Sequence, residues 1–214
     1  MRTLIFAATD PAGLEQAATA LRRGELVAFP TDTVYGVGCD PWNAKAISRL
    51  YVAKQRPEGM AIPVLLASAE AAGKVARCLP QGFRQLAARF WPGGLTIVVP
   101  RQSSVPPVLC AGGDTIAVRL PDHPVPRALA QALGGCLAAT SANRSGDPPA
   151  VDAEAARQAL EGQVAVLLDG GHSPLGVASS VVDLTSVPPR VLRAGQTPFA
   201  ELVACVPGLV PGDR

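Results

Sequence analysis

Phe29-Pro30-Thr31-Asp32-Thr33-Val34-Tyr35-Gly36-Val37-Gly38 is the stretch whose reading decides the fold. An apolar run, Leu26 to Phe29, leads into it and reads as an inner strand. Pro30 then ends the run, and two threonines, an aspartate and two glycines follow within one turn. A strand that opens at its C-terminal end into such a turn is where ligands bind in open α/β sheets.

Outward from this stretch, helical and strand-like patterns alternate. Upstream, Asp10-Pro11 supplies a cap followed by proline at the first helical position, and Gly24 follows Leu21-Arg22-Arg23 as a stop, so residues 10–23 read as a helix. Downstream, Asn43 to Lys54 reads as a helix with Ile47, Leu50, Tyr51 and Lys54 at i, i+3, i+4 and i+7. Strands are expected at 62–66, 95–99, 116–120, 137–139, 164–168, 180–184 and 191–193, and helices at 69–77, 81–90 and 123–133. The pattern predicts a single α/β domain over 1–200 built on a mixed sheet, with 201–214 as a short C-terminal tail.

Composition narrows the function. The chain has 214 residues, 48% hydrophobic and 17% charged, enough for one sizeable core. Its longest apolar runs, such as Ala61 to Ala67, fall far short of the roughly 20 residues a membrane span needs. Leu4-Ile5-Phe6-Ala7-Ala8 is too short for a secretory signal, so a cytoplasmic location is expected. The five cysteines are scattered, with no C-x-x-C pair, and the two histidines form no H-E-x-x-H, which argues against a disulfide framework or a protein-held zinc. Any metal is expected to arrive with a nucleotide. A net charge of +2 does not by itself predict nucleic-acid binding.

Local cations carry more information. Lys54 closes the inward face of its helix, where a lysine either complements the helix dipole or meets an anion. Arg56 follows past the helix end, and Pro57 blocks continuation, so two cations sit in one constrained turn. Arg119 interrupts the apolar strand at 116–120; it is either half of a buried ion pair or the partner of a ligand carboxylate. The strand at 137–139 opens into Thr140-Ser141-Ala142-Asn143-Arg144-Ser145-Gly146, which brings small polar side chains to another sheet end. Cations and hydroxyls at the mouths of α/β elements suit an anionic nucleotide and point to an ATP-using enzyme.

These segments together resemble the YrdC family of threonylcarbamoyl-AMP synthases. The likeness rests on Pro30 to Gly36, Lys54-Gln55-Arg56-Pro57, Trp91-Pro92-Gly93, Val118-Arg119-Leu120-Pro121, Thr140 to Gly146, Ser179-Ser180-Val181-Val182-Asp183 and Leu192-Arg193-Ala194-Gly195. It implies a YrdC-like twisted open mixed sheet with a positively charged cavity on one face. It also implies synthesis of threonylcarbamoyl-AMP and pyrophosphate from L-threonine, bicarbonate and ATP, with Mg2+ carried by the ATP, for threonylcarbamoyladenosine at tRNA position 37. By the same resemblance, Lys54, Arg56, Ser141 and Asn143 are catalytic and bind ATP together with Thr115 and Arg193. Thr33, Arg119 and Ser179 then hold threonine. No Ser/His/Asp or Cys/His constellation is evident, which fits a site that works by positioning and charge neutralisation.

The chain departs from the resemblance at Met60-Ala61, where the family often has Lys-Pro. A YciO-like paralogue with another acceptor is the nearest alternative, and a tRNA- or double-stranded-RNA-binding module the more distant one. Aromatic residues at 4% leave little material for stacking single-stranded RNA. The expected partners are small-molecule substrates, downstream tRNA threonylcarbamoyl-transferase proteins and a weak tRNA contact.

Overall fold

Asp10 caps the helix α1 (Pro11–Arg22) by accepting the Ala12 amide at 2.9 Å, and Gly24 ends it at φ +75°, a conformation that favours glycine. Asn43 caps α2 (Ala44–Lys54) in the same way, accepting the amides of Lys45 and Ala46. The structure is a computed structural model, and it describes residues 2–212; Met1, Asp213 and Arg214, the last two in the expected tail, lie outside the described residues.

The strands are β1 (Leu4–Ala7), β2 (Val27–Phe29), β3 (Gly36–Cys39), β4 (Val64–Leu66), β5 (Leu95–Pro100), β6 (Thr115–Arg119), β7 (Cys136–Ser141), β8 (Val166–Asp169), β9 (Ser180–Asp183), β10 (Arg190–Arg193) and β11 (Val210–Pro211). Among the described residues they form one open sheet in the order β1-β8-β2-β3-β7-β4-β6-β5-β9-β10-β11. Parallel and antiparallel pairs both occur, for instance β4 beside β6 and β3 beside β7, so the sheet is mixed as expected. The remaining helices are α3 (Ala72–Val75), α4 (Phe83–Phe90), α5 (Pro124–Ala132), α6 (Ala153–Ala159) and α7 (Phe199–Cys205).

Alternation along the strands divides the sheet into two faces. Ala28, Val64, Leu66, Val118, Ala138 and Leu167 join the larger core, on the side of α2. Val27, Phe29, Leu65, Leu137, Ala139 and Leu168 join a smaller core with α1 and α5. Leu65 pairs with Arg119 in register, which places the arginine on the smaller-core face and explains why it breaks the apolar pattern of its strand.

Four differences from the sequence reading have local causes. Leu4–Ala7, too short for a secretory signal, is the edge strand β1, parallel to β8. Gly36–Cys39, read as turn, is strand β3; glycine is a weak strand former, but a Cβ at Gly36 would come within 2.8 Å of the Phe29 ring and one at Gly38 within 2.7 Å of the Ala138 carbonyl, so bare backbone is what fits. α6 is a short helix capped by Asp152, whose carboxylate accepts the Ala155 amide at 2.8 Å. The stretch read as a tail carries most of α7 and then β11, and Leu202, Val206 and Leu209, at i, i+4 and i+7, are buried in the larger core. No helix among the described residues is long and apolar enough to cross a membrane.

Candidate functional site

On the smaller-core face, beyond α1 and α5, the sheet leaves a cavity of about 280 Å³. Leu65 and Ala139 supply apolar wall, and the polar groups come from the ends of several strands. The structure brings six of the sequence-predicted residues to its lining, namely Thr33, Arg119, Ser141, Asn143, Ser179 and Arg193.

The turn after β2 is built by Thr31. Its hydroxyl accepts the amides of Thr33 and Val34 and donates to the Val34 carbonyl at 2.7 Å, so the turn folds around one side chain. Tyr35, fully buried, ties the turn to the loop after β8, donating its hydroxyl to the Gly171 carbonyl at 2.8 Å and accepting the Gly170 amide at 2.9 Å. With the turn fixed, Thr33 stands 2.9 Å from an Nη1 of Arg119.

Arg119 is held on three sides. Nε donates to the Gly93 carbonyl, Nη1 to Thr33 Oγ1 and Nη2 to Asp32 Oδ1, the last at 2.6 Å. Both members of the Arg119–Asp32 ion pair are more than nine-tenths buried. Of the two readings left open for Arg119, the ion pair is therefore present, on a residue that also lines the cavity. Burial pushes the guanidinium below its ordinary pKa, and Asp32 opposes that shift. One N–H on each terminal nitrogen is left over from these bonds.

Ser179 and Arg193 line the cavity on the β9–β10 side of Arg119. Arg193 donates from Nε to the Ser179 carbonyl at 2.9 Å and from Nη2 to the Ser179 hydroxyl at 3.0 Å, and Thr96 Oγ1 lies 2.8 Å from that hydroxyl. Gly195 makes this close approach feasible, since a Cβ there would sit 2.4 Å from the Ala178 carbonyl oxygen. Arg193 is lowered from its ordinary pKa by burial, then by the nearby Arg119 and Arg56.

Lys54 lies beneath the site. It is only 1% exposed, and Nζ donates to the carbonyls of Ser141 and Asn143 at 2.5 Å each. It thus pins the loop after β7 from below, while Asn143 Nδ2 closes the same loop on the carbonyls of Arg144 and Asp147. Burial, and then Arg56, lower Lys54 to about 8. Arg56, half-buried, lies outside the lining and donates to the carbonyls of Met60 and Ala61 at 3.0 and 2.8 Å. The departure at Met60-Ala61 therefore bears on Arg56 through main-chain oxygens that any residue provides. Thr115 opens β6 at the end opposite Arg119, about 13 Å away along a strand, and the structure does not bring it to this cavity.

Sequence reasoning missed Asp32, Thr31 and Thr96. Asp32 and Thr31 were legible as polar residues inside the deciding turn, but nothing in the sequence says that residue 32 meets residue 119. Thr96 is one hydroxyl inside an apolar strand and carries no signal beyond alternation.

Electrostatically the site is an excess of cations. Among the described residues, Arg119 has a carboxylate within 4.0 Å, whereas Lys54, Arg56 and Arg193 are bonded only to carbonyls and a hydroxyl. Asp147 adds one exposed carboxylate to the wall. Such a cluster suits a multiply charged anion, beside a locked guanidinium suited to a carboxylate.

Comparison with known proteins adds the following. The Sua5/YciO/YrdC family model, described as "Telomere recombination", matches residues 19–195. The chain is 41% identical over 186 residues to the threonylcarbamoyl-AMP synthase of Pyrococcus abyssi, covering 87% of this chain and 55% of that protein. It is 42% identical over 197 residues to a putative threonylcarbamoyl-AMP synthase of Mycobacterium tuberculosis, covering 90% of each. The chain thus spans about half the length of the Pyrococcus relative and nearly all of the mycobacterial one. Among solved structures it is similar to P. abyssi Sua5 complexed with L-threonine, with a TM-score of 0.92 and 36% identity over 99% of this chain and 62% of that one. E. coli YciO follows with a TM-score of 0.80 and 27% identity over 92% of this chain and 96% of that one.

Proposed function

The chain belongs to the Sua5/YciO/YrdC family, and from that premise we propose that it is an L-threonylcarbamoyladenylate synthase. It is a nucleotidyltransferase that forms threonylcarbamoyl-AMP and pyrophosphate from L-threonine, bicarbonate and ATP. The observation that carries this reading is the meeting, in one cavity, of the locked Arg119 guanidinium and its Thr33 hydroxyl with the polar groups of Ser141, Asn143 and Ser179 and the second guanidinium of Arg193.

The threonine carboxylate takes the two N–H groups that Arg119 has left, beside the Thr33 hydroxyl. Bicarbonate condenses with the threonine amine to a carbamate, releasing water. A carbamate oxygen then attacks the α-phosphorus as the bond to the β-phosphate oxygen breaks, and pyrophosphate leaves. The nucleophile is already anionic, so no strong protein base is needed; alignment and neutralisation of phosphate charge do most of the work. Arg193 and Arg56 supply that charge, and Ser141 and Asn143 hydrogen-bond the phosphates. Lys54 serves by fixing the loop that carries these two residues. Mg2+ belongs to the ATP substrate, and Asp147, one oxygen donor on the wall, suits an ion whose other ligands are phosphate oxygens and water.

Threonylcarbamoyladenosine formation on tRNA would then require transferase proteins that accept the adenylate, with at most a weak direct tRNA contact, in the cytoplasm. The YciO-like alternative is supported by a lower identity and TM-score than the Sua5 likeness, 27% and 0.80 against 36% and 0.92. The test is pyrophosphate release from MgATP by the purified protein, with each amino acid offered in turn and the adenylate identified by mass. Release that requires both threonine and bicarbonate is the expected result. Folded protein that binds ATP and releases none with any amino acid would refute the reading.

A further inference from the structure

A buried carboxylate stands where a site for anions would least be expected to hold one. Asp32 lies 2.6 Å from Arg119, both more than nine-tenths buried, and its second oxygen, Oδ2, is buried with no hydrogen-bond partner among the described residues. Unpartnered buried oxygens are uncommon, and a buried ion pair is often no more stabilising than a well-packed apolar pair, so stability alone is a poor account of this arrangement. His123, which caps α5, also senses the Asp32 charge.

The effect of Asp32 depends on where it is absent. Arg56 and Arg193 are bonded to carbonyls and a hydroxyl, none of which offsets their charge. At Arg119 the guanidinium and Asp32 sum to zero, leaving directed N–H groups without net positive charge. A single carboxylate can accept those two hydrogens, whereas a phosphate carrying two or more charges meets a fixed negative charge behind them.

We infer that Asp32 is a specificity-determining residue that keeps phosphate groups out of the amino-acid end of the shared cavity. The inference rests on the synthase reading and deepens it. One cavity must take both a polyphosphate and an amino acid, and without this charge the polyphosphate would compete for both ends.

Calorimetric titration of threonine, with and without saturating magnesium pyrophosphate, tests it on the unmodified protein and on Asp32→Asn. The substitution keeps the size and the oxygen that Arg119 Nη2 bonds, and removes the charge. In the unmodified protein pyrophosphate should leave the threonine affinity unchanged within about twofold. In Asp32→Asn it should weaken that affinity by about tenfold or more. Competition already present in the unmodified protein would overturn the inference, and that arm does not depend on the variant folding. Loss of threonine affinity in Asp32→Asn with no gain of competition would also overturn it, showing that Asp32 only orients Arg119. If the unmodified protein binds no threonine at all, the synthase reading itself fails and takes the inference with it.

Discussion

Two buried cations serve the same cavity and are held in opposite ways. Arg119, at the proposed amino-acid end, is matched by a carboxylate at 2.6 Å, and Lys54, under the proposed phosphate end, is matched among the described residues by two backbone carbonyls and the side-chain oxygen of Asn143. An ion pair cancels charge and leaves geometry; carbonyl dipoles satisfy the donors and leave the charge. The first arrangement suits recognition of one carboxylate, and the second keeps a positive field under groups that carry several negative charges. The family of cations is thus divided by its partners rather than by residue type.

Breaking the ion pair should give the largest effect. Arg119→Ala leaves Asp32 buried and uncompensated, so unfolding in urea should show a loss of about 3 to 5 kcal/mol, together with a raised threonine requirement and little change in that for ATP. The carbonyl-held side can be sharpened through pH. Lys54 sits at about 8 when folded against an ordinary 10.5. Between those values the unfolded chain holds the extra proton, so this group's contribution makes stability rise with pH across that window and leaves it lowest below pH 8. Subtracting a Lys54→Met series from the unmodified one should isolate a rise of up to about 3 kcal/mol. Absence of a difference would mean that the carbonyls accept the charged and neutral amine equally well.

Arg56→Ala tests the phosphate end without a fully buried charge. It should lower kcat/KM for ATP by about 1.5 to 3 kcal/mol while stability stays nearly unchanged, and steady-state kinetics beside thermal melting would separate the two. Thr96→Val is the smallest step. It removes the hydroxyl 2.8 Å from Ser179 and should raise KM for threonine by about 1 kcal/mol, with KM for ATP unaffected. An equal rise for both substrates would mean that Ser179 and Arg193 act on one shared group and that the two ends are not separate.

Much of this was readable in one dimension. The caps Asp10 and Asn43, the glycine stop at Gly24 and the apolar period of α2 are interactions among residues a few positions apart, and they appear where their chemistry puts them. β3 was not readable, because its glycines look like turn until Phe29 and Ala138 are seen to occupy the space a side chain would need. α7 is not legible in the sequence, because its apolar residues gain their meaning from the core they seal.

The motifs in the sequence determined which residues to look for: the turn at 30–36, the cations 54, 56, 119 and 193, and the polar ends at 141–143 and 179. The tertiary structure alone decided what each cation touches. It set Arg119 against Asp32, 87 positions apart, and Lys54 against carbonyls 87 and 89 positions away. Periodicity and capping act along the chain and survive in a string of letters, whereas the charge a site presents depends on partners that meet only when distant strands pair.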